Sequence, residues 1–201
     1  MSLICADVIN GAANLAFTLG QFNESIKLIH RAIETDPAKA VYYSSLGIFT
    51  RYAKLYNESI TALRKCLELN PQFPGVHGTI GLNYLWKGKP DSAFTEIQNE
   101  KDSMAQSGGL AIVYYALGKK KEADEKLYEF IKDYQRVQAC FIAGIYALRE
   151  DKDKAFEWLE RAYRQRDAGL TVIIGNPMLR NIVKDPRYAA FMKKMKLPIK
   201  G

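Results

Sequence analysis

The chain has 201 residues, 48% of them apolar, and a net charge of +7, which is enough for a well-buried core in one domain or two small ones. Its longest apolar runs, such as Gly109 to Leu117, fall short of the roughly 20 residues that cross a bilayer, so no membrane span is expected. Three widely spaced cysteines, Cys5, Cys66 and Cys140, suit neither a disulfide framework nor a zinc site and point to a reducing compartment, read here as the cytoplasm.

The charge is uneven. Residues 1–100 hold nine Lys/Arg and nine Asp/Glu, and residues 101–201 hold 20 and 13. Residues 168–201 alone carry +6, which reads as a solvated amphipathic helix in preference to a nucleic-acid or lipid contact. At the other end, Met1-Ser2-Leu3-Ile4-Cys5-Ala6-Asp7 lacks the basic segment and unbroken apolar stretch of a secretory signal. Met1-Ser2-Leu3 reads as an expression leader.

The first element, residues 6–39, sets Ile9, Ala12, Ala13, Ala16 and Gly20 ahead of Ser25, Ile29, Ala32 and Pro37. It contains "FNESI" and closes on "AIETDP"; the next element contains "YNESI" and closes on "CLELNP". Asn23 and Asn57 are 34 residues apart, as are Pro37 and Pro71, so the likeness is an internal repeat. Each unit shows apolar residues at spacings of three and four, a break near Gly or Lys, a second such run, and a Pro or polar turn, which predicts a helix pair. Unit two (40–73) has Tyr43, Leu46, Gly47 and Thr50, then Ser59, Leu63 and Cys66. Unit three (74–103) supplies His77, Ile80, Gly81, Tyr84, Gly88, Ala93 and Ile97. Unit four (104–135) supplies Leu110, Ala111, Tyr114, Gly118, Ala123, Leu127 and Phe130, and unit five (136–167) Ile142, Ala143, Tyr146, Ala155, Leu159 and Ala162. Units three and four are shorter, so departures are expected after Glu100 and near Tyr134.

On these residues the chain resembles the tetratricopeptide repeat family, whose period and small and large positions they match. The resemblance implies an all-α fold, a right-handed superhelical solenoid of about five helix pairs spanning 1–167, with 168–201 as a cap ending in a capping helix. Small residues at Gly47, Gly81, Ala111 and Ala143 let paired helices approach, with Leu46, Ile80, Leu110 and Ile142 filling the gap. Ser25 and Ser59 then take the small site held by Ala93, Ala123 and Ala155, and Asn23 and Asn57 fall where an Asn can cap a helix. The Asn-x-Ser pattern is therefore read as packing, not as a glycan acceptor. After Asp167 the period stops. Pro186 suits a first helical turn, with Tyr188, Phe191, Met192 and Met195 as the apolar stripe of a basic helix. The stretches "KAFEWLERAYRQRDAGL" and "NPMLRNIVKDPRYAAFMKKMKLP" look like the ends of tetratricopeptide arrays in bacterial multidomain proteins. In such proteins an upstream cyclase, kinase, DNA-binding or TolB-like domain is often joined to the repeats, so the resemblance implies a bacterial source and room for a missing effector domain whose kind it leaves open. The first unit has no cap of its own, so either more repeats or another domain is expected upstream, or this face pairs with a second copy in a homodimer.

No catalytic constellation emerges. His30 and His77 read as structural, Cys66 replaces a packing Ala, and Cys140 has no histidine partner. Gly108-Gly109 and Gly75-x-x-Gly78 lack the strand and Lys-Ser/Thr of a phosphate loop. The acidic runs at Glu122 to Glu125 and Glu150 to Asp153 oppose the positive ends of second helices. No enzyme activity, cofactor, metal or small-molecule substrate is expected, and no nucleic acid, since Lys193, Lys194 and Lys196 have no stacking platform.

The resemblance implies a scaffold that holds a peptide or partner helix along its first helices. The repeat positions facing that groove are Asn10, Asn14 and Phe17; Ser44, Ile48, Arg51 and Tyr52; Leu82, Leu85 and Trp86; and Ile112 and Tyr115. The set predicts an apolar or aromatic ligand, with Trp86, Tyr52 and Tyr115 as anchors and Arg51 or Lys87 orienting it. The clamp by which some relatives hold a C-terminal carboxylate is not expected, because Val41, Gly75 and Thr79 stand where its basic residues would be. The alternative is a regulatory or dimerisation module of a larger signalling protein.

Overall fold

The computed structural model describes residues 5–197; Met1-Ser2-Leu3, the stretch that reads as a leader, lies outside them. The described residues form eleven α-helices and two 3-10 turns, with no strand among them. The all-α stack of helix pairs expected from the repeat is what forms. The chain divides after Phe130 into two compact units.

The first unit runs through α1 (Ala6–Thr18), α2 (Phe22–Thr35), α3 (Ala40–Tyr52), α4 (Tyr56–Leu69), α5 (Val76–Trp86), α6 (Pro90–Gln98) and α7 (Ser103–Ala116) into α8 (Lys120–Tyr134), within which the division falls. Helix α1 packs on α2, α3 on α4 and α5 on α6, and the pairs stack through α2 on α3, α4 on α5 and α6 on α7. The close approach within pairs depends on missing side chains. A Cβ at Gly47 would stand 2.4 Å from Leu63 Cγ, and one at Gly81 would stand 2.6 Å from Ile97 Cγ1. Ser25, Ser59, Ala93 and Ala123 are each fully buried, which explains why that site accepts only small residues.

The turns inside the pairs repeat as well. Gly20, Lys54, Gly88 and Gly118 take φ between +64° and +73°. The following N–H reaches back over the turn, Leu55 to Thr50 O at 2.8 Å and Lys89 to Tyr84 O at 2.9 Å. This is the left-handed helix stop that glycine adopts without strain and Lys54 adopts against its Cβ. Between pairs, Asp36 Oδ1 accepts from Ala38 N at 3.3 Å, and Asn70 Oδ1 accepts from Gln72 N at 3.1 Å.

Asn23 and Asn57 do not cap their helices. The cap positions are Gln21 and Leu55, neither with a side-chain cap bond, because each helix starts one residue before the Asn and leaves it inside the first turn. Asn57 Oδ1 instead accepts from Lys87 Nζ. In the short third unit, the buried Glu100 carboxylate accepts from Gly78 N, Lys101 N and Asp102 N at 2.9 Å and Gly75 N at 3.2 Å. It satisfies the N–H groups that a longer loop would have turned to water.

In the second unit, α9 (Ala139–Leu148) is apolar on nearly every side and buries Ala139, Cys140, Ile142, Ala143, Gly144, Ile145 and Ala147. It packs against α10 (Lys152–Gln165) and against the 3-10 turns at Ala168–Val172 and Pro177–Leu179. The acidic run before α10 acts as a cap, Asp151 accepting from Lys154 N at 3.2 Å. Although the sequence period stops after Asp167, the spatial register continues. Asn181 Nδ2 donates to Ala147 O at 3.2 Å, Arg187 to Asp153 at 2.7 Å and Lys194 to Glu160 at 2.5 Å, all pairs 34 residues apart. The β-branched, Gly- and Pro-containing stretch "TVIIGNP" disfavours an α-helix there, so 3-10 turns stand where a first helix would be. The final helix, α11 (Pro186–Lys194), is capped by Asp185, which accepts from Arg187 N at 3.0 Å, and buries Tyr188, Phe191 and Met192. The Arg187 side chain and backbone N–H hold the Asp185 carboxyl down at about 2.

Candidate partner-binding surface

The twelve positions selected by first-helix spacing divide by exposure. Phe17 and Tyr52 are 4% and 6% exposed. Their rings meet edge-on at 4.8 Å, and Phe17 also meets Phe49 at 4.7 Å and Phe22 at 5.8 Å. Leu82 and Ile112 are buried too. These four side chains pack between helices. Ser44, Ile48, Arg51, Leu85 and Trp86 are half-buried, as is Asn10, while Asn14 is exposed. Tyr115 is 40% exposed. Asn14 Nδ2 donates to Asn10 O at 2.9 Å and Oδ1 at 3.3 Å.

Arg51, near the end of α3, lies over the Tyr52 ring at 5.3 Å. Its Nε is buried without a hydrogen bond among the described residues. Burial pushes the guanidinium below its ordinary pKa, and the groups that bear on it in the other direction are the Tyr52 and Tyr56 hydroxyls. Lys87 Nζ sits 6.0 Å from the Tyr84 ring centre. A cleft of about 250 Å³ opens beside it, lined by Lys54, Leu55, Tyr56, Asn57, Glu58 and Lys87.

The residues screened for chemistry are held by structural contacts. His77 Nδ1 lies 2.9 Å from Glu96 Oε2, and the other Glu96 oxygen takes the Arg64 guanidinium. His30 is exposed and joins the rim of a larger cleft, about 700 Å³, with Tyr43, Ile60, Arg64, Lys65 and Glu68. Burial pushes the Cys66 thiol up to about 11 and the Cys140 thiol to about 12, so neither is a nucleophile at neutral pH. Sequence reasoning passed over Glu96, Glu100 and Asn83, all buried polar groups; the available signal was a charged or amide residue on an otherwise apolar helix face.

Stacked antiparallel helix pairs with small residues at the crossings are the tetratricopeptide repeat fold, and residues 40–73 match the model of that repeat. Among solved structures, TTC0263, a thermophilic TPR protein of Thermus thermophilus, is 16% identical over 94% of this chain and 100% of its own, with a TM-score of 0.66. PilF of Pseudomonas aeruginosa is 13% identical over 95% of this chain and 90% of its own, TM-score 0.60. YrrB, a TPR protein described as having an unusual peptide-binding site, is 19% identical over 82% of this chain and 88% of its own, TM-score 0.50. At these identities the likeness is one of fold. None of the curated proteins matches the chain. No helix among the described residues is long and apolar enough to cross a membrane.

Proposed function

We propose that the chain is a non-catalytic scaffold that binds an extended peptide or partner helix along the faces of α3, α5 and α7. The observation that carries this reading is the accessible apolar and aromatic set on those helices, Ile48, Leu85, Trp86 and Tyr115, beside a partly enclosed cation. Large rigid side chains that are only half covered are the usual anchors of an interface. The peptide-binding site described for YrrB, a protein of the same fold, supports it. Phe17 and Tyr52 serve this surface from beneath, by fixing α1 against α3. The three free thiols support a reducing compartment. The test is affinity capture with the wild type and with a Trp86→Ala/Tyr115→Ala double variant. Partners captured by the wild type should be lost from the variant, with melting within a few degrees of the parent. Equal capture by both proteins would place binding elsewhere.

One observation favours a second use, as a dimerisation module of a larger signalling protein. Val8, Ala12 and Leu15 on α1, with Leu19 at its C-cap, form an exposed stripe at alternating spacings of four and three, the seam of a helix-to-helix contact. Light scattering over a concentration series tests it. A monomer at every concentration would remove it.

A further inference from the structure

We infer that the partner segment carries an acidic side chain, Asp or Glu, among its apolar and aromatic residues, and that Arg51 is the residue that pairs with it. This rests on the groove reading and names the partner's chemistry at that site. A guanidinium keeps its charge under any physiological condition, and a charge taken out of water without a partner is costly. Natural cores therefore pair buried cations, and even the more exposed arginines Arg64 and Arg187 have carboxylates here, Glu96 for the first and Asp153 and Asp185 for the second. Arg51 differs from these two. Among the described residues no carboxylate bears on it, its Nε makes no hydrogen bond, and its polar neighbours are the Tyr52 and Tyr56 hydroxyls.

The side chain is nonetheless only half-buried, so a partner can reach it. Ile48 stands one turn earlier on the same helix and is also half-buried, so an apolar side chain and a carboxylate could be taken side by side. Tyr56 also lines the cleft whose rim carries Lys54 and Lys87. Those lysines outnumber the one acid there, Glu58, and give the approach a positive field. The site differs from the clamp of some relatives, since it is built on Arg51 and not on the positions occupied by Val41, Gly75 and Thr79.

The probe is an array of 12-residue peptides of apolar and aromatic background, with one central position varied among Asp, Glu, Asn, Gln and Phe. Hits are remeasured by fluorescence anisotropy against the wild type, Arg51→Gln and Arg51→Lys. The wild type should prefer the acidic peptides over their amide counterparts by about 10- to 100-fold, the range of a charge-assisted pair in a desolvated site. Arg51→Gln should abolish the preference, and Arg51→Lys should keep part of it, having lost the two-pronged geometry. Equal binding of acidic and amide peptides by the wild type would overturn the inference and leave the groove reading standing. An acidic preference that survives in Arg51→Gln would also overturn it, by assigning the charge to another residue. If the wild type bound none of the peptides, the groove reading would fall and the inference with it. Lys120→Gln, which removes a surface charge outside the cleft, should leave the preference unchanged; a matching loss there would reduce the effect to general electrostatics and refute the role of Arg51.

Discussion

The junction between the first and second helix pairs and the one between the second and third are built on the same four letters, Asn-Glu-Ser-Ile, preceded by Phe22 in one and Tyr56 in the other, yet their interiors differ. In the first, Phe17, Phe22, Phe49 and Tyr52 form a ring cluster. Ser25 turns back on its own helix there, its hydroxyl donating to Phe22 O at 2.8 Å. In the second, Ser59 donates to Gly47 O at 2.5 Å and accepts from Asn83 Nδ2 at 2.7 Å, which ties three helices together. The residue 24 positions after each serine accounts for the difference: Phe49 follows Ser25, and Asn83 follows Ser59. A ring offers a hydroxyl nothing to bond, and an amide does. Identical local sequence thus acquires its role from the next repeat, and one junction is held by area and the other by a directional network.

The largest test is therefore on the aromatic side. Phe49→Ala removes a ring that is 1% exposed and should cost about 3–5 kcal/mol of unfolding free energy, measured by urea denaturation of the whole chain. A loss below about 1 kcal/mol would mean that the cluster closes over the gap and is not the main tie of that junction. Next come the serines. Ser59→Ala strands the fully buried Asn83 amide, whose Oδ1 already has no hydrogen-bond partner among the described residues, and should cost about 1–3 kcal/mol. Ser25→Ala should stay within about 0.5 kcal/mol, because it loses only an internal back-bond and gains helix propensity. Equal effects for the two would dissolve the contrast. The double variant Ser59→Ala/Asn83→Leu should recover part of the loss, since removing both polar partners leaves neither unsatisfied.

Smaller still is the effect of Arg51→Met. It removes a charge that lacks a partner and keeps the apolar stem, so it should raise the melting temperature slightly or leave it unchanged. A clear fall in melting temperature would show that Arg51 is held by structure, and that its pairing is not reserved for a ligand.

These contrasts separate what the sequence could reveal from what it could not. The 34-residue period exposed the small positions, because the same steric demand recurs in each unit, met by Gly47 against Leu63 and by Gly81 against Ile97. It also selected the first-helix faces. The period could not tell that Phe17 and Tyr52 point between helices, because their orientation depends on Phe22 and Phe49 supplying a cluster to join. Glu100 was equally hidden: its task exists only because the third unit is short. The stretch after Asp167 reads as a break in the repeat because its letters lose the pattern, whereas Arg187 with Asp153 and Lys194 with Glu160 preserve the spacing through charge pairs. Side chains that satisfy the fold's exceptions carry no periodic signal.

The finest test reads the polar junction through a cysteine. Cys66 packs with Leu63, Val76 and Ile80, where α4 meets α5, and Cys140 lies in the second unit, while Cys5 is exposed. In the native protein a thiol reagent at neutral pH should modify Cys5 at once. Cys66 and Cys140 should react only as fast as their surroundings open, since burial both blocks them and keeps them protonated. If the second junction opens as a separate step, Ser59→Ala should speed the labelling of Cys66 by about 5- to 30-fold, the equivalent of one to two kcal/mol. Cys140 should keep its rate, and Ser25→Ala should change neither. A parallel rise at Cys66 and Cys140 would mean that opening is global. The serine network would then contribute to the stability of the whole chain without setting where it first gives way.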